Sequence, residues 1–284
     1  MKVGVSSYSF HKHKNATGCD IFAIIDKAVE IGFDGIEFLD LKGYTNDDDK
    51  IAFAKKIKAY CEEKSIEIPA YTVTANLLAD NVEEVVEGLL YNVDIAEALG
   101  APIMRHDVCY KLPKEHLYTW KNALEAVVPH IRRVADYAKT KGIRTCLENH
   151  GIIFQAPERV EALILAVDRD NYGWLLDMGN FVDSDADLPR AYSKAAPYTF
   201  HVHCKDFIYC PGTEPRPEGF FVTAGGEYYR GTVVGHGVIP VRKCISALEQ
   251  VGYDGYLSIE FEGWEECIPA IEAGHKYVRK LLTI

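Results

Sequence analysis

What the sequence lacks already narrows its class. No pair of its eight cysteines forms C-x-x-C; they stand at 19, 61, 109, 146, 204, 210, 244 and 267. Scatter of this kind through apolar segments suits buried, reduced thiols rather than a disulfide framework or a zinc ribbon. No apolar run approaches the roughly 20 residues that cross a bilayer; Ala162–Val167 is far too short. The opening Met1–Phe10 lacks the apolar core of a signal peptide. No basic run occurs beyond Lys55-Lys56-Ile57-Lys58, which reads as one helix flank, and 31 bases face 42 acids for a net charge of −11. A nucleic-acid-binding protein presents a basic face. These absences predict a cytoplasmic protein with neither a membrane nor a nucleic-acid partner. A glycine-rich G-x-G-x-x-G is missing too, and with it the usual mark of a doubly wound dinucleotide fold.

What is present is an ordinary globular mixture, 48% hydrophobic and 26% charged over 284 residues. Short Val/Ile/Tyr-rich runs alternate with helical patterns. The strand candidates are Lys2–Tyr8, Gly35–Leu39, Ile66–Val73, Pro102–Asp107, Ile143–Asn149, Gly173–Met178, Thr199–Cys204 and Tyr256–Phe261. Between them, Ile21, Ile24, Ala28 and Ile31 keep helical spacing up to a closing Gly32. Asp80 or Asn81 can cap a helix running to Gly100. Leu117, Trp120, Leu124, Val127, Ile131, Val134 and Ala138 make one apolar stripe ending at Gly142. Further helices span Val241–Val251 and Glu265–Leu282. Gly32-Phe33-Asp34-Gly35-Ile36-Glu37-Phe38 is echoed by Gly252-Tyr253-Asp254-Gly255-Tyr256 and Ile259-Glu260-Phe261, as two equivalent αβ units would be. Alternating strands and helices imply right-handed crossovers and a parallel sheet. Eight units in this length fit a single-domain (β/α)8 TIM barrel over residues 1–284. Residues 207–239, with three prolines, many glycines and the aromatics Tyr209, Phe220, Phe221, Tyr228 and Tyr229, read as a long βα excursion over the C-terminal face.

In such a barrel the chemistry lies where strands end. Glu37 lies in strand 2, His106 ends strand 4, Glu148 ends strand 5 before Asn149 and His150, Asp177 ends strand 6, His203 ends strand 7, and Glu260 ends strand 8. Acids and imidazoles at four successive apolar strand ends are hard to explain as packing, because buried unpaired carboxylates are costly. Glu148, Asp177, His203 and Glu260 at one mouth repel unless a cation lies among them. Three carboxylates and one imidazole favour one hard divalent metal: Mn2+ first, then Mg2+, Co2+ or Zn2+.

The strings Cys146-Leu147-Glu148-Asn149-His150-Gly151, Leu176-Asp177-Met178-Gly179-Asn180, His203-Cys204-Lys205-Asp206 and Ile259-Glu260-Phe261-Glu262 resemble the xylose isomerase-like TIM-barrel superfamily. Within it they look most like the sugar phosphate isomerase/epimerase group, with its ketose 3-epimerases and inosose dehydratases. The resemblance implies that Glu148, Asp177, His203 and Glu260 bind one divalent metal, often manganese. It also implies that Glu148 and Glu260 act as acid and base on opposite faces of a sugar, with an enediolate stabilised by the metal. The chemistry agrees: Lewis polarisation acidifies the C–H beside a carbonyl, and two carboxylates in unlike environments can divide the acid and base roles.

Substrate contacts are expected from His150 and Lys205, which share strand parity with Glu148 and His203. His106 is a further contact candidate; Glu37 either meets substrate or anchors a loop. Tyr8, Phe10, His11 and His13 follow strand 1 and are candidates for the pocket wall. His236, between Gly235 and Gly237, stands where many relatives have Glu; it is either a substrate contact or a turn residue. The leading expectation is a metal-dependent sugar or sugar-phosphate isomerase/epimerase. The rivals are a lyase on a keto-sugar or inosose, including a subunit of a 3-oxo C-glycoside-cleaving enzyme, and a non-catalytic metal/sugar-binding protein. A homo-oligomer or a partner subunit over the mouth is compatible with each. Endonuclease IV, of the same superfamily, is disfavoured: Asn180 stands where it would need a histidine, and no Asp-x-His pair precedes Gly235.

Overall fold

The closing glycines do much to set the architecture. Gly32 ends helix α2 (Ile21–Ile31) at φ +97°, in the left-handed region that L side chains avoid, and its N–H returns to the carbonyls of Ala28 and Val29. Asp20 caps the other end by accepting from the Ala23 N–H. The turn then delivers the chain straight into a strand. The computed structural model describes residues 1–41, 49–110, 112 and 119–283.

The strands are β1 (Lys2–Ser6), β2 (Gly35–Leu39), β3 (Tyr71–Val73), β4 (Ile103–His106), β5 (Arg144–Glu148), β6 (Tyr172–Asp177), β7 (Thr199–Cys204), β8 (Asp206–Cys210), β9 (Phe221–Val222), β10 (Tyr228–Thr232) and β11 (Tyr256–Ile259). Eight of them close a parallel barrel in the order β1-β11-β7-β6-β5-β4-β3-β2. Seven lie within the strand segments expected from the sequence, β6 begins one residue ahead of its expected segment, and the chain is a single-domain (β/α)8 TIM barrel. The surrounding helices are α1 (His11–Thr17), α2, α3 (Lys50–Glu63), α4 (Val82–Leu99), α5 (Trp120–Thr140), α6 (Pro157–Val167), α7 (Leu188–Ala195), α8 (Val241–Gln250) and α9 (Cys267–Leu281). Asn81 occupies the N-cap position of α4, but its side chain bonds Glu84 rather than the backbone. Of the stripe assigned to α5, Leu117 lies outside the described residues; Val127, Ile131, Val134 and Ala138 are buried as expected. No helix among the described residues is long and apolar enough to cross a membrane.

Inside the barrel, pleat parity makes layers. Ala70, Ile103, Cys146 and Leu175 form an apolar floor. Two residues further along their strands come Arg105, Glu148 and Asp177, so polar chemistry begins one layer above that floor.

The 207–239 excursion folds as a three-stranded antiparallel sheet in the order β8-β10-β9. Its return to the barrel is held by one residue. Asp206 is buried, and its carboxylate accepts the N–H groups of Phe207 at 2.8 Å, Gly235 at 2.8 Å, Gly237 at 3.0 Å and Ile239 at 3.0 Å. Gly237 is required there, since a Cβ would lie 2.2 Å from an Asp206 oxygen. Asp206→Ala removes the shared acceptor of these four donors. Thermal unfolding should show a loss of about 3 kcal/mol, or roughly 5–10 °C in Tm. A Tm within 1–2 °C of the parent would show that the turn is held by other contacts.

Candidate metal centre at the barrel mouth

The four strand-end residues meet. One ligand atom from each of Glu148, Asp177, His203 and Glu260 lies within 4.8 Å of all the others. The Nδ1 atom of His203 stands 3.4 Å from a Glu260 oxygen, 3.6 Å from Glu148 Oε1 and 3.9 Å from Asp177 Oδ2. These gaps are too long for good hydrogen bonds. They suit donors gathered around one ion with bonds of about 2.0–2.2 Å.

Local structure aims each donor. The Oδ1 atom of Asp177 accepts from the N–H groups of Gly179 and Asn180, both at 2.8 Å, which turns Oδ2 into the centre. Asn149, on the opposite side of the pleat from Glu148, accepts from Trp174 Nε1 and from the Asp177 N–H, both at 3.0 Å. That pins the end of β5 to β6. The Nε2 atom of His203 donates to Glu37 at 2.6 Å, which leaves Nδ1 as the ring nitrogen facing the acids. The other Glu37 oxygen is taken by His201 Nε2. Two buried polar atoms of the cluster, Asp177 Oδ2 and His203 Nδ1, have no hydrogen-bond partner. Orphans of that kind are uncommon in native structures and fit a bound cation.

Charge bookkeeping agrees. Around the centre, Glu37, Glu148, Asp177 and Glu260 face two fixed cations, Arg105 and Lys205, so the cluster has an excess of acid that a proton on His203 or a bound cation would offset. Arg105 donates to Glu148 Oε2 at 2.8 Å and Lys205 to Glu260 Oε2 at 2.6 Å. Burial alone would raise the Glu148 carboxyl, but Arg105 and His203 together outweigh it and lower the group to about 2. Glu260 is likewise held well below its usual range against burial, chiefly by Lys205 and His203. Asp177 is pushed up to about 6 by burial, which Lys205 opposes and the neighbouring Glu148 and Glu260 reinforce. The His203 imidazole is raised well above its ordinary value because Glu37 and Glu260 overcome burial. Unequal proton affinities in one buried cluster mark a functional site.

The other sequence candidates separate. Lys205 joins the cluster, 3.3 Å from Asp177 and 3.4 Å from Glu262. His150 stands above it, with Nδ1 3.3 Å from both Asp107 and Arg105, and lines a mouth cavity of about 660 Å³. Tyr8 lies within the field of Glu262 and Glu260, and its hydroxyl is raised by burial and then by those two charges. Tyr8 also stacks on His11 at 5.0 Å; His11 and His13 are half-buried on α1, and Phe10 belongs to the core. Glu37 is placed below the centre, with both oxygens engaged by histidines. His106 falls on the wrong side of the pleat: it is buried, with Nδ1 bonded to the Asp107 carbonyl and its ring 6.2 Å from Tyr172. His236 is exposed on the Asp206-anchored turn and does not line the mouth cavity.

Two participants escaped the sequence reading. Arg105 is the inward neighbour of His106, and strand parity counted from Glu148 could have found it. Asn180 donates to Glu148 Oε1 at 3.0 Å and accepts from Lys205 at 3.2 Å; it sits in a turn with no periodic signal.

Glu37→Gln keeps the shape but removes the charge that fixes the His203 tautomer. Divalent-metal affinity, read by isothermal titration, should fall roughly 10–100-fold. Unchanged affinity would make Glu37 a packing residue.

The comparisons place this geometry in a family. A family model described as xylose isomerase-like TIM barrel matches residues 25–281. An inosose dehydratase of Lacticaseibacillus casei is 23% identical over 218 residues, covering 73% of each chain. A solved D-psicose 3-epimerase from Clostridium cellulolyticum H10, in complex with D-tagatose, superposes with a TM-score of 0.77 at 18% identity and covers 99% of each chain. The IolI protein with a zinc atom superposes at 0.76 and 18% identity, covering 100% of this chain and 98% of its own. The chain belongs to the xylose isomerase-like TIM-barrel family.

Proposed function

We propose that this chain is a divalent-metal-dependent enzyme that moves a proton at the carbon beside the carbonyl of a sugar, as an isomerase or epimerase does. The observation that carries the reading is the placement of two ionised carboxylates about one cation-deficient centre. In the barrel order β11-β7-β6-β5, Glu148 on β5 and Glu260 after β11 flank Asp177 and His203. A substrate seated over the centre therefore has a carboxylate on either side.

Glu148, Asp177, His203 and Glu260 would hold the metal; three carboxylates and one imidazole suit Mn2+ first, with Mg2+, Co2+ and Zn2+ compatible. A bound divalent cation polarises a substrate carbonyl and makes the adjacent C–H acidic. The rest falls to the chain. Arg105 keeps Glu148 ionised, so its carboxylate is ready to accept a proton. Lys205 does the same for Glu260. Removal of the proton by one Glu, and return of a solvent-derived proton by way of the other, inverts the carbon; return to a neighbouring carbon isomerises it. His150, whose protonated form is favoured by Asp107 and Glu148 despite burial, can donate to substrate oxygens from the rim.

A second reading has its own support. The curated relative named above is an inosose dehydratase. Elimination shares the first proton abstraction and differs only in the next step, where Lys205 or His150 would protonate a leaving hydroxyl.

Both readings are tested by incubating the metal-loaded protein in deuterated water with ketoses, inososes and 3-oxo-glycosides. Deuterium in recovered substrate or in an epimer marks the first outcome, and an unsaturated product marks the second. Glu148→Gln and Glu260→Gln should each lower exchange roughly 10²–10⁴-fold. The metal content of each variant separates lost chemistry from lost ligation. Metal binding without exchange or product from any of these sugars would leave a binding protein and end the enzymatic reading.

A further inference from the structure

The excursion after β7 forms one wall of the mouth cavity, and that wall is apolar. Phe207 on β8 is buried two residues beyond Lys205 and packs on Gly179, where a Cβ would lie 2.8 Å from the Phe207 ring. Phe221 on the edge strand β9 meets Phe207 edge-on at 5.5 Å and stacks on Tyr229 at 6.2 Å. The sheet is a fixed platform. Thr223 Oγ1 bonds Asp185 at 2.7 Å and the Ala224 N–H bonds the Asp183 carbonyl at 3.1 Å, which fastens β9 to the loop after β6.

The exposed apolar surface is not evenly spread. Of the ten large hydrophobics exposed among the described residues, four line this one cavity: Tyr110, Ile152, Phe221 and Val222. They come from three separate segments and converge beside His150 and Glu262, at the edge of the metal centre. The cavity measures about 660 Å³, well within the usual range for drug-sized ligands. A free polyol would leave this wall wetted, and convergent apolar side chains at a cavity mark what the ligand presents there.

We propose that the substrate is a keto-sugar carrying an aromatic or similarly apolar substituent, a glycoside rather than a free sugar, with the substituent seated between Phe221–Val222 and Tyr110–Ile152. The inference rests on the proton-abstracting reading of the metal centre and adds the chemical class of the second half of the substrate.

The test compares 3-oxo-glucose with its phenyl β-glycoside, each incubated with the metal-loaded full chain in deuterated water. The kcat/KM for exchange beside the carbonyl should be at least tenfold higher for the phenyl glycoside, mainly through KM. Phe221→Ala should bring the ratio of the two substrates to within about threefold. Val222→Asp, at an exposed edge position, should do the same and guards against misfolding of the first variant. Equal kcat/KM values for the two substrates in the parent protein overturn the proposal. So does a ratio left intact in both folded variants. Exchange from a free ketose or inosose but from neither probe overturns it while leaving the activity standing. No exchange from any sugar overturns the activity and this proposal with it.

Discussion

Three carboxylates gathered around one imidazole, all out of bulk water, constrain everything above the apolar floor of this barrel. Like charges at such spacing cannot all stay ionised without compensation. The protein supplies part of that compensation permanently, through Arg105 against Glu148 and Lys205 against Glu260. It leaves Asp177 Oδ2 and His203 Nδ1 without a hydrogen-bond partner, with Lys205 no nearer than 3.3 Å to the former. The division is informative. A purely structural ion-pair network would satisfy its members, because a half-satisfied buried network is worse than an apolar one. The unsatisfied pair faces the point from which Glu148 and Glu260 are also reached, so a single divalent ion answers both the missing charge and the missing bonds.

Glu37 shows how far below the mouth this constraint extends. Its carboxylate lies between His201 and His203, and the bond to His203 Nε2 decides which ring nitrogen faces the acids. The pairing joins β2 to β7 across the barrel interior, between residues 166 apart in sequence. A carboxylate buried there is tolerated because both of its oxygens are bonded, and it converts a packing layer into a support for the ligand above.

Much of this was legible in the sequence, for a physical reason. Strands of period two flanked by helices that close on Gly32, Gly100 and Gly252 specify a barrel almost by punctuation, and polar residues ending apolar strands stand out against it. Glu148, Asp177, His203 and Glu260 were found in that way, and the structure gathers them at one centre. What stayed hidden had local causes. Strand ends shift by one residue, and a one-residue shift exchanges His106 for Arg105 at the mouth. Asn180 acts from a turn, where no periodicity marks it. The partners of Glu37 are fixed by closure of the barrel, which no local pattern encodes. The sheet β8-β10-β9 has a two-residue edge strand in a Gly/Pro-rich segment, too short for alternation to register.

The same segment explains why one barrel mouth joins two unlike environments. Lys205 and Phe207 follow His203 along one continuous stretch of chain, so the strand end that brings His203 to the centre supplies a cation two residues later and an aromatic ring two residues after that. Asp206, between them with the opposite parity, turns outward to hold the returning chain by four N–H groups. At this strand exit, alternating residues contribute a cation to the polar centre and a buried ring behind Phe221 to the apolar wall. The acidic centre and the apolar wall therefore reside in different side chains. Substitutions at Phe221 or Val222 can alter what the site accepts without displacing Glu148, Asp177, His203 or Glu260.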